Sequence, residues 1–254
     1  MTVFCFDFDG VVCDSAPETA LSAWLACRDL WPELPEDLPP ALQQRFCRLR
    51  PVLHTGFEAI PLMRLIALGR VTDAQFFADF PALRDAWIQA SGLASQDLLR
   101  RFGAQRDRMI ALDASRWLAL NPFYDSMADL LSSAARRHDV FIVTTKQERF
   151  AGLLLGHHWV SLPPERVFGL ERNQPKPAIL RALLARPELA GRAFHFVEDR
   201  IETLRDVIAD PALNPVRLYL ADWGYNTPAQ RREAAHEPRI EVVTRERLGQ
   251  VCAA

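Results

Sequence analysis

Asp7 and Asp9 stand two residues apart at the end of an apolar run, in FCFDFDGVVCDS (residues 4–15). Two carboxylates this close repel each other, and burying either is costly. A pair so placed calls for a cation, and with it for metal-assisted or acid–base chemistry. Other residues fit the same need. DVFIVT (139–144) runs into Thr144, Thr145 and Lys146, and AFHFVED (193–199) runs into Glu198 and Asp199. Of the 30 basic residues only Lys146 and Lys176 are lysines. The arginines read as surface solvation, which leaves the two lysines to be located.

The elements that must position these residues show a regular pattern from about residue 126. Apolar runs at 139–144, 166–170, 193–199, 216–221 and 239–244 alternate with helical spacing at 126–137, 147–155, 177–185 and 200–209. Short apolar runs between helical stretches predict a parallel sheet covered on both faces, an α/β, Rossmann-like core. The opening run, residues 2–7, is a strand of the same class. Residues 15–125 differ. They carry helical spacing and no clear strand, prolines at 32, 35, 39 and 40 break them, and Pro122 ends them. The predicted organisation is an α/β core of residues 1–14 and 126–254 with an all-helical insertion at 15–125.

Ligands of an open parallel sheet sit beyond the carboxyl ends of its strands. Asp7, Asp9, Thr144–Lys146, Glu198 and Asp199 all fall at such ends, and Lys176 lies in ERNQPKP just before a helix. Lys146 itself reads as a solvated loop residue.

Composition bounds the alternatives. The chain has 254 residues, 49% hydrophobic and 24% charged, enough for a sizeable core. A net charge of −2 gives no reason to expect nucleic acid or an anionic membrane. No apolar stretch reaches a membrane span, and the N-terminal run has no basic residues before it, so it reads as a buried strand and not a signal peptide. Five scattered cysteines without a CxxC pair point to a reducing cytoplasm and away from a zinc site. Neither GxGxxG nor GxxxxGK[ST] occurs. His157, His158 and His195 read as packing residues, not as members of a catalytic triad.

With these motifs in order, the sequence resembles the haloacid dehalogenase superfamily, mostly Mg-dependent phosphatases. DFDGVVCDS is similar to its DxDG motif, FIVTT to its strand ending in Ser or Thr, Lys176 in PKP to its lysine, and FVEDRIET to its acid-ending strand. The helical insertion falls where the family carries one type of cap. One departure is that Glu198 precedes Asp199 where Gly is common, and Thr203 stands four residues on.

The resemblance implies a phosphatase acting on a small phosphorylated metabolite through an aspartyl-phosphate. Asp7 would be the nucleophile, and Asp9 the general acid and then base. Lys176 with Thr144, or the neighbouring Thr145, would hold the phosphoryl oxygens, and Gly10 would let the backbone turn beside the phosphate. Mg²⁺ would sit on Asp7, the Asp9 carbonyl, Asp199 and a second acid, either Glu198 or Glu202. Arg50, His54 and Glu58 in the insertion would share one face if helical, either as a substrate-facing cluster or as a surface ion-pair row. Other readings are a 2-haloacid dehalogenase, against which Asp9 argues, a phosphomutase or phosphonate hydrolase, and a catalytically silent binding protein.

Overall fold

The computed structural model describes residues 1–253. They form two compact units. One comprises residues 1–14 with 123–253, the other Ser15–Pro122.

The first unit is built on a six-stranded parallel sheet. Its strands are β1 (Thr2–Phe6), β2 (Asp139–Val143), β3 (Val167–Phe168), β4 (Ala193–Glu198), β5 (Val216–Ala221) and β6 (Ile240–Val243), in the spatial order β3-β2-β1-β4-β5-β6. β1 reads as one unbroken apolar run because both of its faces are covered: Val3, Phe4, Cys5 and Phe6 are all buried. Val3, Cys5, Phe196 and Leu218 join Ile179, Leu183 and Leu204 in one core. The apolar run at 166–170 was expected to be a strand throughout but pairs only over Val167–Phe168. After that the chain turns to bond the β2 loop, where Leu170 N–H donates to the Lys146 carbonyl at 3.0 Å. Gly169 allows this approach, since a Cβ there would lie 2.6 Å from the same oxygen.

The second unit is helical, with α1 (Ala16–Leu30), α2 (Pro40–Leu49), α3 (Ala59–Leu68), α4 (Asp73–Ser91) and α5 (Ser95–Ala119). Their apolar faces meet around Trp24, Phe46, Ile60, Phe76 and Phe102. Both long helices are interrupted by an aspartate with non-helical dihedrals, Asp79 and Asp113. Each restarts the helix as a cap, through Ala82 N–H to Asp79 Oδ1 at 3.0 Å and Arg116 N–H to Asp113 Oδ1 at 2.9 Å. Pro81 inside α4, unable to continue the ladder, accounts for the first break. A fully buried Glu18 is held by Arg106 through two nitrogens, at 2.9 and 2.6 Å, and by Trp117 Nε1 at 3.2 Å. A buried carboxylate persists only with such partners.

The helices of the α/β unit are α6 (Met127–Ala135), α7 (Glu148–His157), α8 (Lys176–Leu184), α9 (Ile201–Ile208), α10 (Pro228–Ala235) and α11 (Arg245–Ala253). Among the described residues no helix is long and apolar enough to cross a membrane.

Candidate active site

Strand register brings the acids together. β1 pairs Phe6 with Ile142 on one side and Val197 on the other. Asp7 N–H continues the ladder to the Val197 carbonyl at 2.9 Å, which sets Asp7 level with Glu198. Carboxylate oxygens of Asp7, Glu198 and Asp199 lie within 4.8 Å of one another, all three residues buried. Lys176, the first residue of α8, answers two of them: its Nζ lies 2.8 Å from Asp7 Oδ1 and 2.7 Å from Glu198 Oε2. Asp199 Oδ2 accepts from Tyr225 N–H at 2.7 Å.

Three buried carboxylates against one ammonium leave an excess of negative charge. Burial pushes the Asp7 carboxyl up to about 6, Lys176 opposing this and Glu198 adding to it. Burial likewise pushes Glu198 up to about 7 against the pull of Lys176. Asp199 is raised by burial and then by Asp7. For Lys176 burial alone would lower the pKa, but Asp7 and Glu198 outweigh it and raise the value. An all-oxygen donor set of three buried carboxylates, with more negative charge than Lys176 offsets, fits a hard divalent cation.

This geometry sets a pH dependence. Between the ordinary carboxyl range near 4 and the folded values of about 6 and 7, the native chain binds more protons than the unfolded chain. The contribution of these groups to stability therefore falls as pH rises through that window. In EDTA the melting temperature is expected to drop more between pH 5 and 7.5 for the wild type than for Glu198→Gln. A millimolar divalent cation should reduce the wild-type drop. Identical EDTA profiles for the two proteins would contradict the assignment.

Two loops close round Asp199. Residues 8–13 form a tight turn, with Val12 and Cys13 N–H on the Phe8 carbonyl at 2.9 and 3.0 Å. Gly10 adopts φ +91°, and a Cβ there would lie 2.0 Å from Asp199 Oδ2. The other loop is DWGYN (222–226), after β5. A Cβ on Gly224 would lie 2.2 Å from Asp199 Cβ and 2.6 Å from the Gly10 carbonyl. Trp223 Nε1 donates to the Val11 carbonyl at 3.0 Å, Tyr225 Oη to Asp14 at 2.8 Å, and Asn226 Nδ2 to the Asp199 carbonyl at 2.9 Å. Sequence reasoning missed this strap. The available signal was its place directly beyond the carboxyl end of an apolar run.

Lys146 corrects an expectation. Its side chain is 0% exposed rather than solvated, and its Nζ lies 3.0 and 3.4 Å from the two oxygens of Asp9. A buried ammonium needs a counter-charge, and register supplies one. The offset that pairs Phe6 with Ile142 places Asp9 level with residue 145. Thr144 is buried, and its Oγ1 accepts from Lys146 N–H at 3.1 Å. Thr145 is exposed.

No protein-family model matches the chain, and no curated protein matches it in sequence. Solved structures do match, over nearly the whole length. A predicted phosphatase from Clostridium acetobutylicum is 14% identical with a TM-score of 0.62, covering 99% of this chain and 98% of that one. A haloacid dehalogenase-like family hydrolase from Streptococcus pneumoniae is 12% identical with a TM-score of 0.56, over 100% and 98%. The fold is that of the haloacid dehalogenase-like hydrolases. A predicted phosphoglycolate phosphatase from Haemophilus somnus 129pt shares it at 17% identity and a TM-score of 0.60, over 100% and 97%.

The acid that lies with Asp7 and Asp199 is Glu198. Glu202 instead meets Arg200 at 3.3 Å and Gln230 Nε2 at 2.9 Å. In the helical unit, Arg50 and His54 do not share a helix face with Glu58. Arg50 begins a 3₁₀ turn (Arg50–Val52), His54 lies in the following bend, and Glu58 ends a second 3₁₀ turn (Gly56–Glu58). Pro51 and Gly56 break the helix that their spacing suggested. The Glu58 carboxylate accepts from His54 N–H at 2.5 Å and Thr55 N–H at 2.9 Å and pairs with Arg84, so it caps a turn. His195 Nδ1 meets Tyr219 Oη at 3.0 Å, and His158 stacks on Phe123 at 3.9 Å, both as packing residues.

Proposed function

We propose that the protein is a Mg²⁺-dependent phosphatase that hydrolyses a small phosphomonoester through an aspartyl-phosphate on Asp7. The observation that carries this reading is the buried group of Asp7, Glu198 and Asp199 around Lys176, with Asp9 two residues beyond Asp7 on its own lysine. Asp7, Asp199 and Glu198, with the Asp9 carbonyl, would hold Mg²⁺. Its chemistry there is to offset the repulsion between a phosphate dianion and the carboxylates.

The chain's own residues then divide the reaction. A carboxylate oxygen of Asp7 attacks phosphorus, and the ester P–O bond breaks. Asp9 gives its proton to the leaving oxygen. Lys176 balances charge on the phosphoryl oxygens. The Thr144 hydroxyl accepts from Lys146 N–H, so its own hydrogen can be donated to a phosphoryl oxygen. In the second half Asp9 takes a proton from the water that attacks phosphorus. The bond to Asp7 breaks and inorganic phosphate leaves. Asp9 favours this reading over dehalogenation, since halide departs without a proton.

The test is hydrolysis of p-nitrophenyl phosphate and of a panel of small phosphorylated metabolites. Turnover should require Mg²⁺ and disappear with EDTA. Turnover that survives EDTA, or that occurs on 2-haloacids and on no phosphate ester, would overturn the proposal.

A further inference from the structure

Lys146 is the residue that the chemistry above leaves without a part. Its placement is over-determined. Its N–H donates to Thr144 Oγ1 at 3.1 Å, and its carbonyl accepts from Leu170 N–H at 3.0 Å. Gly169 lets the chain pass close to that carbonyl, since a Cβ there would lie 2.6 Å from the Lys146 oxygen. The side chain is wholly buried, with Nζ 6.0 Å from the Phe8 ring centroid and within reach of both Asp9 oxygens. Asp9 keeps 17% of its side chain exposed. The lysine is therefore the fixed member of the pair, and the carboxylate is the member that water or substrate reaches.

We propose that Lys146 is a positioning residue for Asp9: it holds the carboxylate in one orientation, from which Asp9 serves the leaving group and then the attacking water. This rests on the phosphatase reading given above. A carboxylate turning freely about its two side-chain bonds would lose proton-transfer geometry in both half-reactions, because such transfer requires heavy-atom contact near hydrogen-bond distance. A lysine that instead bound the phosphoryl group would act on substrate affinity. One that merely filled the core would act on stability.

The experiment compares wild type, Lys146→Met, Asp9→Asn and the double variant with Mg²⁺. Single-turnover rates are measured on p-nitrophenyl phosphate and on an alkyl phosphate, and phosphoenzyme decay is followed separately. Lys146→Met should slow alkyl-ester attack and phosphoenzyme decay at least about tenfold, with KM and inhibition by inorganic phosphate unchanged. Added to Asp9→Asn it should cost less than about twofold more, since the lysine acts through Asp9. Full additivity with Asp9→Asn, a rise in KM in place of the rate loss, or no loss overturns the proposal. If Lys146→Met does not melt cooperatively, Lys146→Gln is read in the same way, and failure of both to fold makes the residue structural and overturns it too. A wild type that turns over no phosphate ester overturns the phosphatase reading beneath it, whereas an active wild type unharmed by Asp9→Asn overturns the part given to Asp9, and with it the positioning role of Lys146, and leaves the phosphatase reading standing.

Discussion

Asp7→Asn is expected to abolish turnover while leaving the fold intact. The amide nearly matches the carboxylate in shape but is not a competent nucleophile, and it offers a cation no charge. Removing the nucleophile of a covalent mechanism costs on the order of 10⁶ in kcat where it has been measured in hydrolases. A residual activity above about one per cent would already exclude Asp7 from that role. The fold should survive because Lys176 keeps Glu198 at 2.7 Å, so no cation is stranded. Burial and the neighbouring acids raise the Asp7 carboxyl to about 6, so the amide also relieves repulsion. In EDTA near neutral pH the variant should melt no lower than the wild type, and its stabilisation by Mg²⁺ should shrink. A variant that is inactive and also unfolded in EDTA would instead make Asp7 a structural residue.

Asp9→Asn is expected to separate esters by their leaving groups. An alkyl phosphate expels a strongly basic alkoxide, which needs a proton as the bond breaks. A p-nitrophenolate leaves readily without one. General acid catalysis contributes on the order of 10²–10⁴, so burst-phase losses on the two esters should differ by at least about tenfold. If Asp9 also activates the water of the second half-reaction, the variant should accumulate phosphoenzyme. The comparison therefore belongs to the first turnover, not to the steady state. Equal burst losses on both esters would remove the general-acid role and leave Asp9 as a cation-site residue. The 3.0 Å contact with Lys146 bears on the same measurement, because the asparagine leaves a buried ammonium without its charged partner. The melting temperature of Asp9→Asn must therefore be recorded beside its rates.

Much of the scaffold was legible because it is set by local pattern. A strand buried on both faces has to be apolar at every position, as in Val3–Phe6 and Val140–Val143, so each central strand stands out from its neighbours. Parallel strands share one functional end, so the acids closing residues 2–7 and 193–199 could be placed on the same side of the sheet from sequence. Short β3 was the weak point, since two paired residues carry almost no periodicity.

The pairing of charges was decided only by the tertiary structure. Lys146 reads as a loop cation until the β1–β2 register sets it against Asp9, which lies 137 residues away in the chain. Glu202 has the same donor chemistry as Glu198, but it lies on α9, one helical turn beyond the end of β4, and turns to Arg200 and Gln230. The strap of Trp223, Gly224, Tyr225 and Asn226 is held by hydrogen bonds to residues 11, 14 and 199, and those contacts have no sequence period. Hydrophobic burial acts on each segment through its own repeat of two or 3.6 residues and is therefore written locally. The partners of Asp7 and Asp9 are fixed by strand offset and loop path over more than a hundred residues, and that information exists only once the sheet has closed.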